Sequence, residues 1–318
     1  MERTRTTTKH RWAWSLVLTA SILVGVLVWL PWLGGGWIPK LQAFGLWLLV
    51  LPLALGLIAL FQRRWAVAAV LFTCLLAGSA ASINPQVPPA STDAGGATLT
   101  VMSFNALKAG ADPDALAEAI RQADPDVLVL VETSEPLHAA LARRGAIAAL
   151  KFRSAQAPAG GERDTVIFSR YPLTERSEEL ASAATGWHSL PVAELQLPQG
   201  PITVAGIHIF PPLHDATRWN QGLEALAQWS QQEHGTPVIL AGDFNAVRAH
   251  PQYRRATTGF TESSGLWPNT SWPALGKVPA VIEIDHILVK DAAAQRFETS
   301  AIKGSDHLGV VAELMINP

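Results

Sequence analysis

Cysteine is nearly absent from this chain: Cys74 is the single one in 318 residues. An intramolecular disulfide and a cysteine metal cluster are therefore excluded, and with them a small disulfide scaffold. Charge is scarce as well. Asp, Glu, Lys and Arg make up 16% of the residues, against roughly 25% in an ordinary soluble domain. With 49% hydrophobic residues, that scarcity excludes a disordered chain. A basic stripe is also missing. The formal net charge is −2, but the layout is uneven: residues 1–83 carry seven basic residues against one acidic, a net of +6, whereas residues 84–318 carry 17 against 25, a net of −8. Length suggests about two units at ~150 residues each.

Charged residues are wholly missing from three stretches, 12–39, 41–62 and 65–92. Each holds an apolar core, about 12–32, 41–61 and 65–82, and a bilayer core of ~30 Å needs about 20 helical residues. The expectation is a membrane domain over 1–83 with three transmembrane helices. A cleaved signal peptide in the first stretch, or cleavage after the small-residue run 77–82, are the alternatives. Arg3, Arg5, Lys9 and Arg11 precede the first stretch and Arg63 and Arg64 separate the second from the third, whereas Lys40 stands in the other loop. This bias puts the N terminus in the cytoplasm and everything after residue 83 outside it. The expected location is a bacterial cytoplasmic (inner) membrane, multi-pass. Trp12, Trp14, Trp29, Trp32, Trp37 and Trp65 fall near the ends of the stretches, as interfacial anchors do. No charged residue lies within a stretch, which argues against a transporter.

Residues 84–97, rich in Pro, Gly, Ser and Ala, read as a linker. From residue 98 short β-type runs alternate with helical segments. Strands are expected at 98–106, 126–133, 164–170, 192–197, 202–209, 237–245, 282–290 and 309–316. Helices are expected at 113–123, 135–143 and 216–233, the first with Asp112 as its cap and Pro113 at its first position. Late strands follow one another without helices between them, which argues for α+β with packed sheets.

Polar residues stand at the ends of these apolar runs. Asn105 closes Val-Met-Ser-Phe-Asn, and Glu132 closes Val-Leu-Val-Leu-Val-Glu. His208 interrupts Val-Ala-Gly-Ile-His-Ile. Asp243 and Asn245 close Val-Ile-Leu-Ala-Gly-Asp-Phe-Asn. Asp285 and His286 lie inside Ile-Asp-His-Ile-Leu-Val, and Asp306 and His307 in Gly-Ser-Asp-His. Hard oxygen donors suit Mg²⁺ or Mn²⁺, and imidazoles move protons or bind phosphate.

In this order, with Asp164 through Pro172 (Asp-Thr-Val-Ile-Phe-Ser-Arg-Tyr-Pro) between, the set resembles the endonuclease/exonuclease/phosphatase superfamily over about 101–314. The resemblance implies a four-layer α/β/β/α sandwich over 98–318 with the active site where the sheets open. It implies a metal held by Glu132, with Asn105 beside it and Asp306 near it or near a second metal. It casts Asp243 as the group that orients or deprotonates the attacking water and Asn245 as a phosphate ligand. His307 would contact the scissile phosphate, oriented by Asp285, and His208 would be a second catalytic imidazole, an acid for the leaving group.

Three N-terminal spans before such a domain resemble the bacterial membrane proteins that include the teicoplanin-resistance-type undecaprenyl-diphosphate phosphatases. The implied substrate is a lipid-linked diphosphate, with Mg²⁺ as cofactor and Mn²⁺ an alternative. Phe210, Pro211 and Pro212 add apolar residues beside His208. Trp187, Trp219, Trp267 and Trp272 are candidates for contact with lipid, or for core and surface packing. A tethered extracellular nuclease or phosphodiesterase is the second reading. It is disfavoured because DNA binding draws most of its strength from Lys/Arg–phosphate contacts, and Arg254–Arg255 is the one basic pair near a motif. An inactive lipid- or partner-binding module is the third, disfavoured by the intact site residues.

Overall fold

A computed structural model describes residues 3–31, 34–83, 97–155, 165–176, 180, 190–213, 216–276 and 278–316. The chain divides into two compact units, residues 1–83 with 248–251, and residues 84–247 with 252–318. Most of the expected linker, Asp164 and Trp187 lie outside the described residues.

The first unit contains α1 (Arg3–Leu27), α2 (Ile38–Ala43), α3 (Gly45–Leu48), α4 (Val50–Phe61) and α5 (Trp65–Ala80). Among the described residues no helix is long and apolar enough to cross a membrane, so the three predicted transmembrane helices are corrected. The first turns of α1, Arg3 through Arg11, consist of Arg, Thr, Lys and His. The stretch 41–61 breaks at Phe44 and Leu49, leaving α4 with 12 residues. The 16 residues of α5 reach about 24 Å at ~1.5 Å per residue, short of a ~30 Å core. The multi-pass inner-membrane location and the extracytoplasmic placement of the later domain fall with the spans, since both rested on counting them. Ala59, Ala68 and Leu71 form this unit's small core with Trp14, Leu18, Leu55 and Phe72 packed on it. Trp12, Leu16, Leu23, Trp37, Phe61, Trp65 and Leu76 remain exposed.

In chain order the second unit contains β1 (Ala97–Asn105), α6 (Pro113–Ala123), β2 (Val127–Val131), α7 (Glu135–Arg143), β3 (Phe152–Arg153), β4 (Thr165–Ser169) and β5 (Leu173–Glu175). There follow β6 (Val192–Leu197), β7 (Gly200–His208), α8 (Ala216–Gln232), β8 (Val238–Asp243), α9 (Pro251–Ala256), β9 (Thr261–Glu262), β10 (Asp285–Lys290), β11 (Ala292–Ala301) and β12 (Leu308–Ile316). Local chemistry sets the helix starts. The Asp112 carboxylate accepts from the N–H groups of Asp114 and Ala115, and Pro113 opens α6, which buries Leu116, Ala117 and Ile120. Ser134 caps α7 in the same manner. Strands β3, β5, β9 and β11 were not expected from the sequence.

Two six-stranded sheets result, in the orders β11-β12-β1-β2-β4-β3 and β5-β6-β7-β8-β10-β9. In β2 every residue is buried, yet the pleat still sorts them. Val127, Val129 and Val131 face Ile239, Ala241 and Ile287 of the other sheet, whereas Leu128 and Leu130 face Leu116, Ile120 and Leu141 of the helices. On the far side, Trp219, Leu223 and Leu226 of α8 cover Ala205, Ile207 and Leu240. The layers are helix, sheet, sheet, helix, the sandwich that the resemblance implies.

Each sheet has a parallel pair at its centre, β1 with β2 and β7 with β8, flanked by antiparallel neighbours. Parallel strands end at the same edge, so Asn105, Glu132, His208 and Asp243 arrive together. Strand β10 runs antiparallel to β8, with Asp285 opposite Asp243, and β12 runs antiparallel to β1. Their beginnings bring Asp285 and His307 to that same edge.

Gly242 precedes Asp243 with φ +151°, and a Cβ there would stand 1.9 Å from the carbonyl oxygen of Ile207. The adjacent strand backbone has nowhere to move. Gly242→Ala is expected to cost more than the ~1–3 kcal/mol of backbone strain alone, read as a lowered urea midpoint. An unchanged midpoint contradicts this account.

Candidate active site

Asn105 is fully buried, and its side-chain amide bridges two carboxylates. Nδ2 donates to Glu132 Oε1 and to Asp243 Oδ2, each at 3.1 Å, while Oδ1 accepts the Leu107 N–H at 2.9 Å. Glu132 Oε2 accepts the Lys108 N–H at 2.8 Å, and His208 Nε2 lies 3.6 Å from Oε1. Asp243 Oδ1 accepts the Asn245 N–H at 2.8 Å. The Asn245 amide is shared between Asp243 Oδ2 at 3.1 Å and the Ile209 carbonyl at 2.9 Å. Glu132 and Asn245 both hold left-handed backbone, φ +49° and +46°. For residues with a Cβ that is strained, and strain of this kind concentrates at working sites.

The second half of the site comes from the late strands. His307 Nδ1 donates to Asp285, 2.9 and 3.1 Å from its two oxygens. Its Nε2 lies 3.9 Å from Asp243 Oδ2 and 3.8 Å from Asp306 Oδ1. Asp285 is buried, and its backbone N–H donates to Ser271 Oγ at 3.1 Å. Ser305 Oγ donates to the Asn105 carbonyl at 2.7 Å and accepts the His307 N–H at 3.0 Å, tying the last loop to β1. The eight residues to which the resemblance gives a role thus lie at one edge of the sandwich, joined by hydrogen bonds or close polar approaches to others of the set, whereas His286 turns away from it.

Electrostatics divide the site's acid and base. Burial raises the Asp243 pKa to about 7; the His307 charge pulls it down, and Asp285 and Glu132 push it up again. For His307, burial disfavours the imidazolium, but Asp285, Asp243 and Asp306 override it and hold the pKa up at about 10. In the metal-free protein both groups on this edge are therefore shifted toward their protonated forms, the carboxyl by burial and the imidazole by its carboxylate neighbours.

Asp243, Asp285 and His307 bring ligand atoms within 4.8 Å of one another, a cluster that could hold a metal ion. Asp306 Oδ1 is buried and accepts no hydrogen bond among the described residues, and Glu132 supplies a second hard carboxylate oxygen. Asn105, with its amide nitrogen turned to both Glu132 and Asp243, spaces those two carboxylates.

Sequence reasoning missed Ser271 and the clamp on Asp306. The Trp272 indole N–H donates to Asp306 Oδ2 at 2.9 Å, and the Ala274 N–H donates to the Asp306 carbonyl. Trp219 is fully buried with its indole donating to the Asn245 carbonyl at 3.0 Å. Trp219 is thus a core residue, whereas Trp272 stays half-buried with its indole N–H engaged. Also missed were Tyr253, Glu262 and Glu283, which surround His286 behind Phe244.

The sequence model of the Endonuclease/Exonuclease/phosphatase family matches residues 102–307. The chain belongs to that family. Enzymes of the family are metal-dependent phosphoesterases and phosphatases, and this chain is accordingly a divalent-metal-dependent phosphohydrolase. Solved structures similar to it include an endonuclease/exonuclease/phosphatase from Beutenbergia cavernae, at 21% identity over 69% of this chain and 72% of that one, TM-score 0.51. A humanized D. rerio TDP2 is similar at 14% identity over 68% and 98%, TM-score 0.54. A family protein from Bacteroides thetaiotaomicron is similar at 16% over 70% and 99%, TM-score 0.51. At these identities the likeness is one of fold. No curated protein matches the chain.

Asp285 is the first of the carboxylates that raise the His307 pKa. In the metal-free protein His307 is expected to stay protonated beyond pH 8, and in Asp285→Asn to titrate closer to the ordinary ~6.5. Imidazole NMR resonances followed against pH report this directly. The same midpoint in both proteins contradicts the assignment.

Proposed function

We propose that this phosphohydrolase removes the terminal phosphate of a lipid-linked diphosphate, such as undecaprenyl diphosphate, with Mg²⁺ as the working ion. The observation that carries the hydrolytic part is the His307–Asp285 couple, whose free Nε2 faces both Asp243 and Asp306. Glu132 and Asp306 would hold the ion, with Asn105 beside them. When bound, it polarises a phosphoryl oxygen and offsets charge gathering there.

Asp243 receives the proton of the attacking water, and a pKa near 7 suits that role at neutral pH. His307, held as imidazolium, donates from Nε2 to the scissile phosphate as negative charge builds on its oxygens. Asp285 fixes the ring, because both of its oxygens face Nδ1. Asn245, whose amide holds Asp243 and the Ile209 carbonyl in the free protein, exchanges one of these bonds for a phosphoryl oxygen, and His208, 3.6 Å from Glu132, is assigned the proton for the leaving oxygen.

Two features support an apolar carrier behind the phosphate. Loops leaving the site carry exposed aliphatic side chains: Leu107 after Asn105, Leu213 after His208, and Leu275 and Val278 after the Trp272 clamp. The net charge of −8 over residues 84–318 disfavours nucleic acid, whose grip depends on Lys/Arg–phosphate contacts. The many exposed apolar residues of the first unit agree with an apolar substrate.

Purified full-length protein with Mg²⁺ is expected to release inorganic phosphate from polyprenyl diphosphates and to leave DNA and sphingomyelin intact. Release should vary little between low and physiological salt, since counterion release governs nucleic-acid binding. DNA cleavage without phosphate release from the prenyl substrates overturns the lipid reading. Asp243→Asn and His307→Ala are each expected to lower turnover at least ~10²-fold with a smaller change in KM, and Glu132→Gln to abolish Mg²⁺-dependent turnover. Near-normal turnover in any of the three contradicts its role.

A further inference from the structure

Behind Asn245 lies a buried group of side chains that the hydrolysis does not use. Tyr253, Glu262, Glu283 and His286 are all buried. His286 Nε2 donates to the Ala246 carbonyl at 2.9 Å. Its Nδ1 lies 2.9 Å from Tyr253 Oη and 3.3 Å from Glu262 Oε2, and the Tyr253 hydroxyl donates to Glu262. Glu283 is held separately, accepting from Ser264 Oγ at 2.7 Å and the Asn269 N–H at 3.0 Å. Phe244 packs edge-on against the Tyr253 and His286 rings, with centroids 5.5 and 5.2 Å away.

We propose that His286 is a positioning residue for the reaction: it ties the turn 243–246 to β10, so that Asp243 and Asn245 keep their place relative to Asp285. The arrangement is economical in distance. His286 follows Asp285 directly, and in the sheet it stands opposite Gly242, the residue before Asp243. Its imidazole then reaches past that strand end to the carbonyl that follows Asn245. One side chain thereby links the residue after Asp285 to the carbonyl after Asn245. The turn needs such a tie, because Asn245 holds φ +46° and left-handed backbone is not self-maintaining in a residue with a Cβ. Other bonds hold the turn from other sides: the Phe244 N–H donates to the Ile284 carbonyl at 2.9 Å, the Trp219 indole to the Asn245 carbonyl at 3.0 Å and the Asn245 amide to the Ile209 carbonyl at 2.9 Å, while His286 holds the next carbonyl, that of Ala246, from the strand that carries Asp285. Glu262 and Tyr253 in turn fix the ring from its Nδ1 side. This placement matters because small displacements of a reacting group are costly in rate.

The inference rests on the reading that Asp243 and Asn245 act on the substrate. Its test compares two charge-matched double variants of the full chain. Both carry Glu262→Gln. One adds His286→Phe, which removes the donor to Ala246, and the other His286→Gln, whose amide can take the place of Nε2–H. The phenylalanine pair is expected to lose at least about tenfold in kcat with KM within about twofold, and the glutamine pair to recover most of that loss. Backbone amide exchange over 244–247, read by mass spectrometry without substrate, should quicken in the first pair and stay near the parent in the second. Equal kcat and equal exchange in the two pairs overturn the proposal. If the phenylalanine pair does not fold, Tyr253→Phe serves: a lowered kcat at unchanged KM, with faster exchange over 244–247, supports it, and parental values overturn it. If the parent protein releases no phosphate from any substrate, the functional reading fails, while the exchange comparison still decides the role of His286.

Discussion

The site depends on keeping several carboxylates out of water without letting them drive the sheets apart. Asp243 and Asp285 face each other in register across β8 and β10, and both are buried. Desolvating a carboxylate costs several kcal/mol per ion in a real protein. Here the donors that offset it come from separate parts of the chain: Asn105 from β1, Asn245 from the turn after β8, and His307 from the start of β12, while Ser271 from a long loop holds the Asp285 backbone in place. Remove the alignment of any one donor, and a buried charge is left without its partner. The same constraint that raises the proton affinity of Asp243 therefore makes the site a test of correct folding.

Topology is what makes those donors converge. A parallel pair at the centre of each sheet sends four strand ends to one edge, and the antiparallel neighbours return two strand beginnings to it. Positions as distant as Asn105 and His307 are joined through Ser305, which bonds the carbonyl of one and the N–H of the other. Between the sheets Val129, Val131, Ile239 and Ala241 pack as an apolar layer. That layer holds the two halves of the site at a fixed spacing, so a carboxylate from each sheet can share the Asn105 amide.

Local signals are legible in the sequence and non-local ones are not. Helix α6 is legible to the residue because its cap, Asp112, and its opening Pro113 are adjacent in the chain. The strands that bear the site are legible to within a few residues, since polar residues end long apolar runs there. Strand β11 is not: its ten residues are half-exposed or exposed in no regular alternation at a sheet edge, and pairing with β12 rather than its own composition makes it a strand. The apolar N-terminal stretches mislead for a related reason. Phe44 and Leu49, where the second stretch breaks, are themselves apolar, so hydropathy carries no trace of the break. At the site, eight residues are legible by type and order. The orientation of the Asn105 amide, the Trp272 clamp on Asp306 and the surroundings of His286 all depend on partners far along the chain.

Charge argues for a substrate that presents one phosphate group rather than a row of them. Around the site stand Glu132, Asp243, Asp285 and Asp306, opposed by the His307 imidazolium and by a divalent ion when bound. With the ion bound, four carboxylates would stand against three positive charges close to the phosphate. Further away residues 84–318 hold no excess of Lys and Arg, with 17 basic residues against 25 acidic ones in all. An extended polyanion draws its grip from many Lys/Arg–phosphate contacts, whereas a terminal diphosphate needs only the charges gathered at the site. An apolar chain on the proposed diphosphate substrate would have the exposed Leu107, Leu213, Leu275 and Val278 to pack against, and such a contact would remove apolar surface from water on both sides.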